Sequence, residues 1–226
     1  EAVEISVAPS YEALADRVER GHAELVWMPP TITARLLPEL HAVYKCVRLG
    51  QTSYRSGVVA RAGAFESLQS LRGGRAAWVD RLSIGGHILA RSALVERGIA
   101  DELASEVFYG DYPSALDAVL EGDADFAAVA VCDDSDESLR DALASFGGRA
   151  AAQELVRVHV TVACPNDALG VTRSLDAAAA DRIAARVFAD PMSRARAALC
   201  LALDAEGFAK AEAGEYSQLR SLIVDR

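Results

Sequence analysis

The stretch Arg75–Gly98, RAAWVDRLSIGGHILARSALVERG, decides how this chain folds. Its apolar opening, Arg75–Val79, reads as a buried strand, and the polar tetrapeptide Asp80-Arg81-Leu82-Ser83 reads as a loop. Ile84–Arg97 then reads as a helix closed by Gly98. Ser83 is a helix cap by residue type. The backbone N–H groups of Ile84, Gly85, Gly86 and His87 would then lie at the positive end of the helix dipole, without intrahelical acceptors. Gly85 and Gly86 would let an anion approach the backbone closely, so a bulky residue at Gly86 is expected to block a ligand without unfolding its lobe. A plainer account stands beside this one: Ser83 only caps, and the glycines only pack.

Moving outward, strand-like and helix-like segments alternate, which is the mark of an α/β protein. Towards the amino end, Val3–Val7 reads as a strand, Tyr11–Arg20 as a helix capped by Ser10, and Ala23–Met28 as a strand ended by Pro29-Pro30. Together they predict a β–α–β unit with parallel strands. A helix is expected over Thr33–His41 and a strand over Tyr54–Arg61, followed by a short turn-helix at Leu68–Gly74. Towards the carboxyl end, the pattern predicts strands at Glu106–Tyr109, Asp125–Val131 and Leu155–Ala163, and a helix at Tyr112–Glu121. The acidic run DDSDES at 133–138 reads as a solvated helix start or loop. Helices are expected over Ser174–Ala189, Pro191–Leu203 and Tyr216–Val224.

The 226 residues suit one large domain or two lobes, and a net charge of −10 argues against nucleic acid as the main partner. No apolar stretch is long enough to span a bilayer, so no membrane insertion is expected. Cys46, Cys132, Cys164 and Cys200 form no CxxC pair and read as isolated buried thiols. The four histidines show no metal-ligand spacing, and neither a nucleophile elbow nor a phosphate loop is present, so no metal, cofactor or catalytic residue is expected.

Three segments carry a family resemblance. SYEALADRVERGHAELVWMPP at 10–30, the run 54–99, and FYGDYPSALDAVLEGDADFAAV at 108–129 resemble, in order, motifs of phosphate/phosphonate-type substrate-binding proteins of ABC transporters. The resemblance implies the type 2 periplasmic-binding-protein fold: two α/β lobes, mostly parallel sheets flanked by helices, and a ligand cleft between the lobes. Lobe one is expected to comprise residues 1–61 plus 157–226, and lobe two the inserted 62–156, with a hinge where the chain crosses. The implied function is that of a solute-binding protein, not an enzyme, that clasps a small anion of the phosphonate, phosphate or carboxylate class. A membrane permease is the implied partner, and the implied location is periplasmic or lipid-anchored. No signal peptide is legible from Glu1 onward, so a processed or trimmed chain, or a cytoplasmic one, is also expected.

The implied ligand contacts are Ser83, Ile84, Gly85, Gly86 and His87, with Tyr54 and Tyr109. Met28, Pro30 and Thr31 join them because α/β ligands bind beyond the carboxyl ends of strands. The chain also departs from the family. Ser83-Ile84-Gly85 stands where the family has Ser-Thr-Ser, and no histidine stands at Asp111–Pro113. Each lost bond to a charged ligand costs about 1.5–3 kcal/mol, which favours a different ligand or a degenerate site. The family's first strand and helix have no counterpart before VEISV, which implies a trimmed chain, a unit supplied by a partner, or an altered order. A ligand-sensing regulatory module and an enzyme on the same fold are the other readings.

Overall fold

The structure, a computed structural model, describes residues 4–212, 214–217 and 219. Its helices are α1 (Tyr11–Glu19), α2 (Pro30–Leu36), α3 (Leu89–Val95), α4 (Tyr112–Glu121), α5 (Asp136–Glu154), α6 (Ala177–Ile183) and α7 (Arg194–Ala202). Its strands are β1 (Leu25–Met28), β2 (Leu40–Val47), β3 (Ser53–Arg61), β4 (Arg75–Trp78) and β5 (Ser105–Phe108), then β6 (Phe126–Val131), β7 (Leu155–Val160), β8 (Cys164–Pro165), β9 (Ala168–Thr172) and β10 (Gly207–Lys210). The chain divides into two compact units, Glu1–Thr52 with Pro165–Arg226, and Ser53–Cys164. The crossings therefore lie just before β3 and beyond the end of β7, whereas the expected positions, around residues 62 and 156, fall after β3 and at the start of β7. Hydrogen bonding is the reason: β3 runs antiparallel to both β6 and β7, so both crossing strands belong to the second unit's sheet.

In that second unit the strand order is β5-β4-β6-β3-β7. Alternation of side chains sorts its core onto two faces. Val58, Ala60, Ala76, Trp78, Phe126 and Ala128 pack on one face with Ala90, Ala93 and Leu94 of α3. Val59, Ala77, Val79, Ala127 and Val129 pack on the other with Leu116 and Val119 of α4 and Leu139 and Leu143 of α5. The acidic run begins α5: Ser135 caps it by accepting from the Ser138 N–H at 3.0 Å, and Asp133 accepts from Ser135.

The first unit's sheet runs β1-β9-β2-β10, with every pairing antiparallel. The expectation of mostly parallel sheets is thus corrected: β4 pairs in parallel with β5 and with β6, whereas β1–β9, β2–β9, β2–β10, β3–β6 and β3–β7 are antiparallel. The cause is the chain's path. The strand that brings the chain back into a unit runs against the one that took it out, so β9 pairs antiparallel with β2, and β7 with β3. The expected β–α–β start is also corrected. Residues 4–7 form no strand, and Ile5 and Val7 are 87% and 91% exposed. A strand needs a neighbour for its backbone groups, and no ladder borders this segment. Pro38 ends the helix expected over Thr33–His41 early, and β2 starts at Leu40. The helix expected at Tyr216–Val224 falls largely outside the described residues.

Asp167 ties this unit together. Its carboxylate accepts from Arg48 Nη1 at 2.5 Å, Arg48 Nη2 at 3.1 Å and Trp27 Nε1 at 2.5 Å. Arg48 also donates to the Leu203 and Asp204 carbonyls, joining β1, the end of β2, the approach to β9 and the turn before β10. Burial pushes the Asp167 carboxyl up, but the bonds from Arg48 and Trp27 outweigh it and hold the group below the usual carboxylate range. The expectation of four buried thiols holds for Cys46 and Cys164, whose thiols burial pushes up to about 12, whereas Cys132 is exposed.

The approach to α3 is a wide π turn over Ile84–Ile88, not the expected α-helical first turn. Its carbonyls explain it. The buried Ser56 hydroxyl donates to the Gly85 carbonyl at 2.5 Å, and the Val79 N–H donates to that of Gly86 at 3.2 Å. With both carbonyls drawn onto the sheet, the Ile88 N–H reaches back five residues to the Ser83 carbonyl. The two glycines make that contact possible. A Cβ on Gly85 would lie 2.8 Å from the Ala130 Cβ, and one on Gly86 would lie 2.5 Å from Val79 Cγ2. Both glycines are needed for packing whatever their role toward a ligand, so the expected harmless bulky residue at Gly86 is corrected as well.

Two expected outcomes follow from this packing. Gly86→Ala lowers unit stability by about 2 kcal/mol through overpacking, and adding Val79→Ala restores part of it in thermal melts. Asp167→Asn costs about 2 kcal/mol in urea unfolding at pH 7, between the values for buried and exposed pairs because Arg48 is about a third exposed. A depressed carboxylate pKa stabilises above the unfolded value near 4 and ceases to do so as pH falls through the folded value. The gap between wild type and Asp167→Asn should therefore narrow on acidification.

Candidate functional site

The loop between β4 and α3 is built by short-range bonds. Asp80 Oδ1 accepts the Leu82 N–H at 2.8 Å, and the Asp80 carbonyl accepts the Ser83 N–H at 3.0 Å. These bonds turn the chain through 80–83 and leave Ser83 extended, at φ −69° and ψ 115°. Ser83 Oγ accepts the Gly86 N–H at 3.1 Å, so the cap read from the sequence is formed. That bond occupies one of the four amides expected to face a ligand. Ser83 itself is half-buried, whereas Ile84, Gly85, Gly86 and His87 are buried. Its hydroxyl, accepting from Gly86, also bonds the Tyr112 phenol.

His87 is not placed as a ligand donor. It is 1% exposed, and its ring packs 5.3 Å from Trp78 and 4.9 Å from Phe108, centroid to centroid. Nδ1 lies 3.0 Å from the Arg81 carbonyl. A carbonyl only accepts, so Nδ1 carries a proton. The Arg81 guanidinium lies 4.6 Å above the Phe108 ring, a cation–π contact on the same aromatic group. Behind it, Glu106 accepts from Trp78 Nε1 at 2.8 Å and from Arg91 Nε at 2.9 Å. Burial raises the Glu106 carboxyl, and the bonds from Arg91 and Trp78 bring it below its ordinary value.

Tyr109 follows β5, half-buried against the α4-side core, and its N–H donates to the Trp78 carbonyl at 2.8 Å. At the next helix, Asp111 caps α4 by accepting from the Ser114 N–H at 2.8 Å. Tyr112 stacks on Phe146, and burial raises its phenol. Tyr54 is half-buried at the start of β3. The second unit thus contains Ser83–His87, Tyr54 and Tyr109 together.

Met28, Pro30 and Thr31 belong to the first unit, and all three are buried. Met28 Cε would lie 2.6 Å from a Cβ on Gly170, which marks Met28 as core packing against β9. Pro30 occupies the first turn of α2, where its missing N–H costs nothing. Sequence reasoning missed Ser56, whose hydroxyl holds the Gly85 carbonyl. A small hydroxyl residue directly before the apolar Gly57–Ala60 of YRSGVVAR was the available signal. It also missed the loop-holding bond of His87, which spans six residues and leaves no periodic trace.

Among the described residues no three His, Cys, Asp or Glu side chains gather as a metal site, and no helix is long and apolar enough to cross a membrane. No curated protein matches the chain. Among solved structures, the chain is similar to a Xanthomonas citri protein solved bound to chloride ion, with a TM-score of 0.78 at 20% identity over 98% of this chain and 83% of that one. It is also similar to the binding protein component of a Pseudomonas aeruginosa ABC phosphonate transporter, with a TM-score of 0.66 at 14% identity over 96% and 73% of the two chains. A third similar structure is PhnD1 from Prochlorococcus marinus in complex with methylphosphonate, with a TM-score of 0.65 at 14% identity over 95% and 82%. These likenesses show the fold, that of the two-lobed periplasmic binding proteins. The model of the phosphonate periplasmic substrate-binding proteins of ABC transporters matches residues 1–216. The chain therefore belongs to that family of solute-binding receptors.

Proposed function

We propose that the chain binds a small anion, of the phosphonate, phosphate or carboxylate class, at the Ser83 start of the π turn and α3. The formed Ser83 cap carries this reading. Its oxygen accepts from Gly86 and its hydroxyl also bonds the Tyr112 phenol, which fixes Ser83 at the helix start where the dipole favours an incoming anion. Ile84 and Gly85 stand in the first turn, where backbone N–H groups lack intrahelical acceptors and the dipole favours negative charge. Tyr54 and Tyr109 are the candidate flanking contacts in the same unit. Similar solved proteins include one complexed with methylphosphonate and one bound to chloride, which supports an anion as the ligand class.

The receptor hands its ligand on without chemical change, to a membrane permease, and works outside the cytoplasm, either free in the periplasm or lipid-anchored. Family membership supports the permease and the location. Membership of a family of solute-binding receptors also supports binding without turnover.

Calorimetry with methylphosphonate, inorganic phosphate and acetate tests the reading. At least one should bind, and Ser83→Ala should weaken it by about 1–3 kcal/mol, the value of a bond to a charged group plus a poorer cap. Ligand recovered from the complex should be chemically unchanged. Equal affinity in wild type and Ser83→Ala, with only a lowered melting temperature, would move the binding site elsewhere.

A further inference from the structure

The loop that presents Ser83 is short, exposed and polar, and its path sets where Ser83 meets its partners, the Gly86 N–H and the Tyr112 phenol. Asp80, Arg81 and Leu82 are all exposed, and Asp80 supplies two of the bonds that shape the loop from within. The third comes from the core. His87, on the first helical turn after the loop, reaches back six residues and donates Nδ1–H to the Arg81 carbonyl at 3.0 Å.

The imidazole cannot easily shift. It is 1% exposed and held between the Trp78 and Phe108 rings, and Trp78 is itself bonded to Glu106, which Arg91 pairs. The Arg81 side chain lies over the same Phe108 ring that His87 meets edge-on, so both ends of that residue are anchored to one aromatic group. A carbonyl on an exposed loop would otherwise bond to water and rotate freely. Here it is fixed by a donor whose own position the core determines.

We infer that His87 is a positioning residue for anion binding: by holding the Arg81 carbonyl, it sets the loop 80–83 and so aims Ser83. The inference rests on the reading of Ser83 as the anion anchor. It gives His87 a role without ligand contact, and it specifies the chemistry required at position 87: one N–H donor at the Nδ1 position. Asparagine places its side-chain amide N–H close to that point. Phenylalanine keeps the ring against Trp78 and Phe108 but has no donor.

His87→Asn and His87→Phe in the full chain therefore separate the bond from the packing. Two readouts are taken: hydrogen–deuterium exchange of amides 80–86 without ligand, and calorimetry with methylphosphonate and inorganic phosphate, alongside Ser83→Ala. In His87→Phe, exchange over 80–86 should quicken about tenfold while β4, β6 and α4 keep their protection, and anion affinity should fall about three- to tenfold, the value of one neutral hydrogen bond. His87→Asn should retain most of both properties, although it packs less well. Unchanged exchange over 80–86 in His87→Phe overturns the positioning role, whatever the ligand result. So does equal loss of affinity in both variants, which would assign the effect to packing. A loosened loop with unchanged affinity, while Ser83→Ala weakens binding, overturns it as well. No binding of either anion by wild type, or unchanged affinity in Ser83→Ala too, fails the anion-anchor reading instead, and with it the claim that the loop bond serves ligand binding.

Discussion

The second unit depends on a competition for two carbonyl oxygens. In a regular α-helix, Gly85 and Gly86 would accept from the amides four residues ahead. Here Ser56 and Val79 take those oxygens, and the helix responds by widening its first turn. That exchange fastens the helix to the sheet at the place where β4 ends, and it requires glycine at both positions because the backbone comes within contact distance of Val79 and Ala130. The cap on Ser83, the turn through Asp80 and the reach of His87 all sit on this foundation. A π turn is rare and often marks a functional site; in this protein its cause can be traced to two named donors.

The same physics separates what was legible in the sequence from what was not. Elements built by periodicity and punctuation were readable. The apolar run of β4, the cap and terminal Gly98 of the helix after it, and α4 between Asp111 and Gly122 all stand where their residues place them. In the first unit, β2 and β9 were hidden because a central strand buried on both faces shows no clean alternation, and its partners are far away in sequence. The stretch VEISV has the composition of a strand, but composition cannot supply a neighbour, and the described residues 4–7 have no ladder. Propensity was therefore a reliable guide where local bonds decide, and a poor one where pairing decides.

Site residues divide along the same line. Ser83 was identified correctly as a cap because capping is a local relation, visible as a serine before an apolar run. His87 was assigned to the ligand because it stands at a helix start, yet its partner is a carbonyl six residues back and its surroundings are aromatic side chains from β4 and β5. Those neighbours come together only through the parallel pairing of β4 with β5. Met28 likewise read as lying at the mouth of a strand, whereas its side chain fills space against Gly170 in a strand some 140 positions later.

The two units also differ in how chain order relates to assembly. Ser53–Cys164 is one uninterrupted segment, whereas the first unit is made of two pieces with that entire segment between them. The contacts that unite those pieces, β1 and β2 with β9, and Arg48 and Trp27 with Asp167, close a very long loop. Closing it carries an entropic penalty before any contact repays it, and such long-range pairing is slow. During synthesis the second unit emerges complete while residues 1–52 still await β9. Folding of the middle segment brings its two ends close together, which shortens the effective loop to a few residues. The inserted unit thus acts as an internal template for the discontinuous one, and a defect that slows its folding would leave β1 and β2 without their central partner, with their edges open to aggregation.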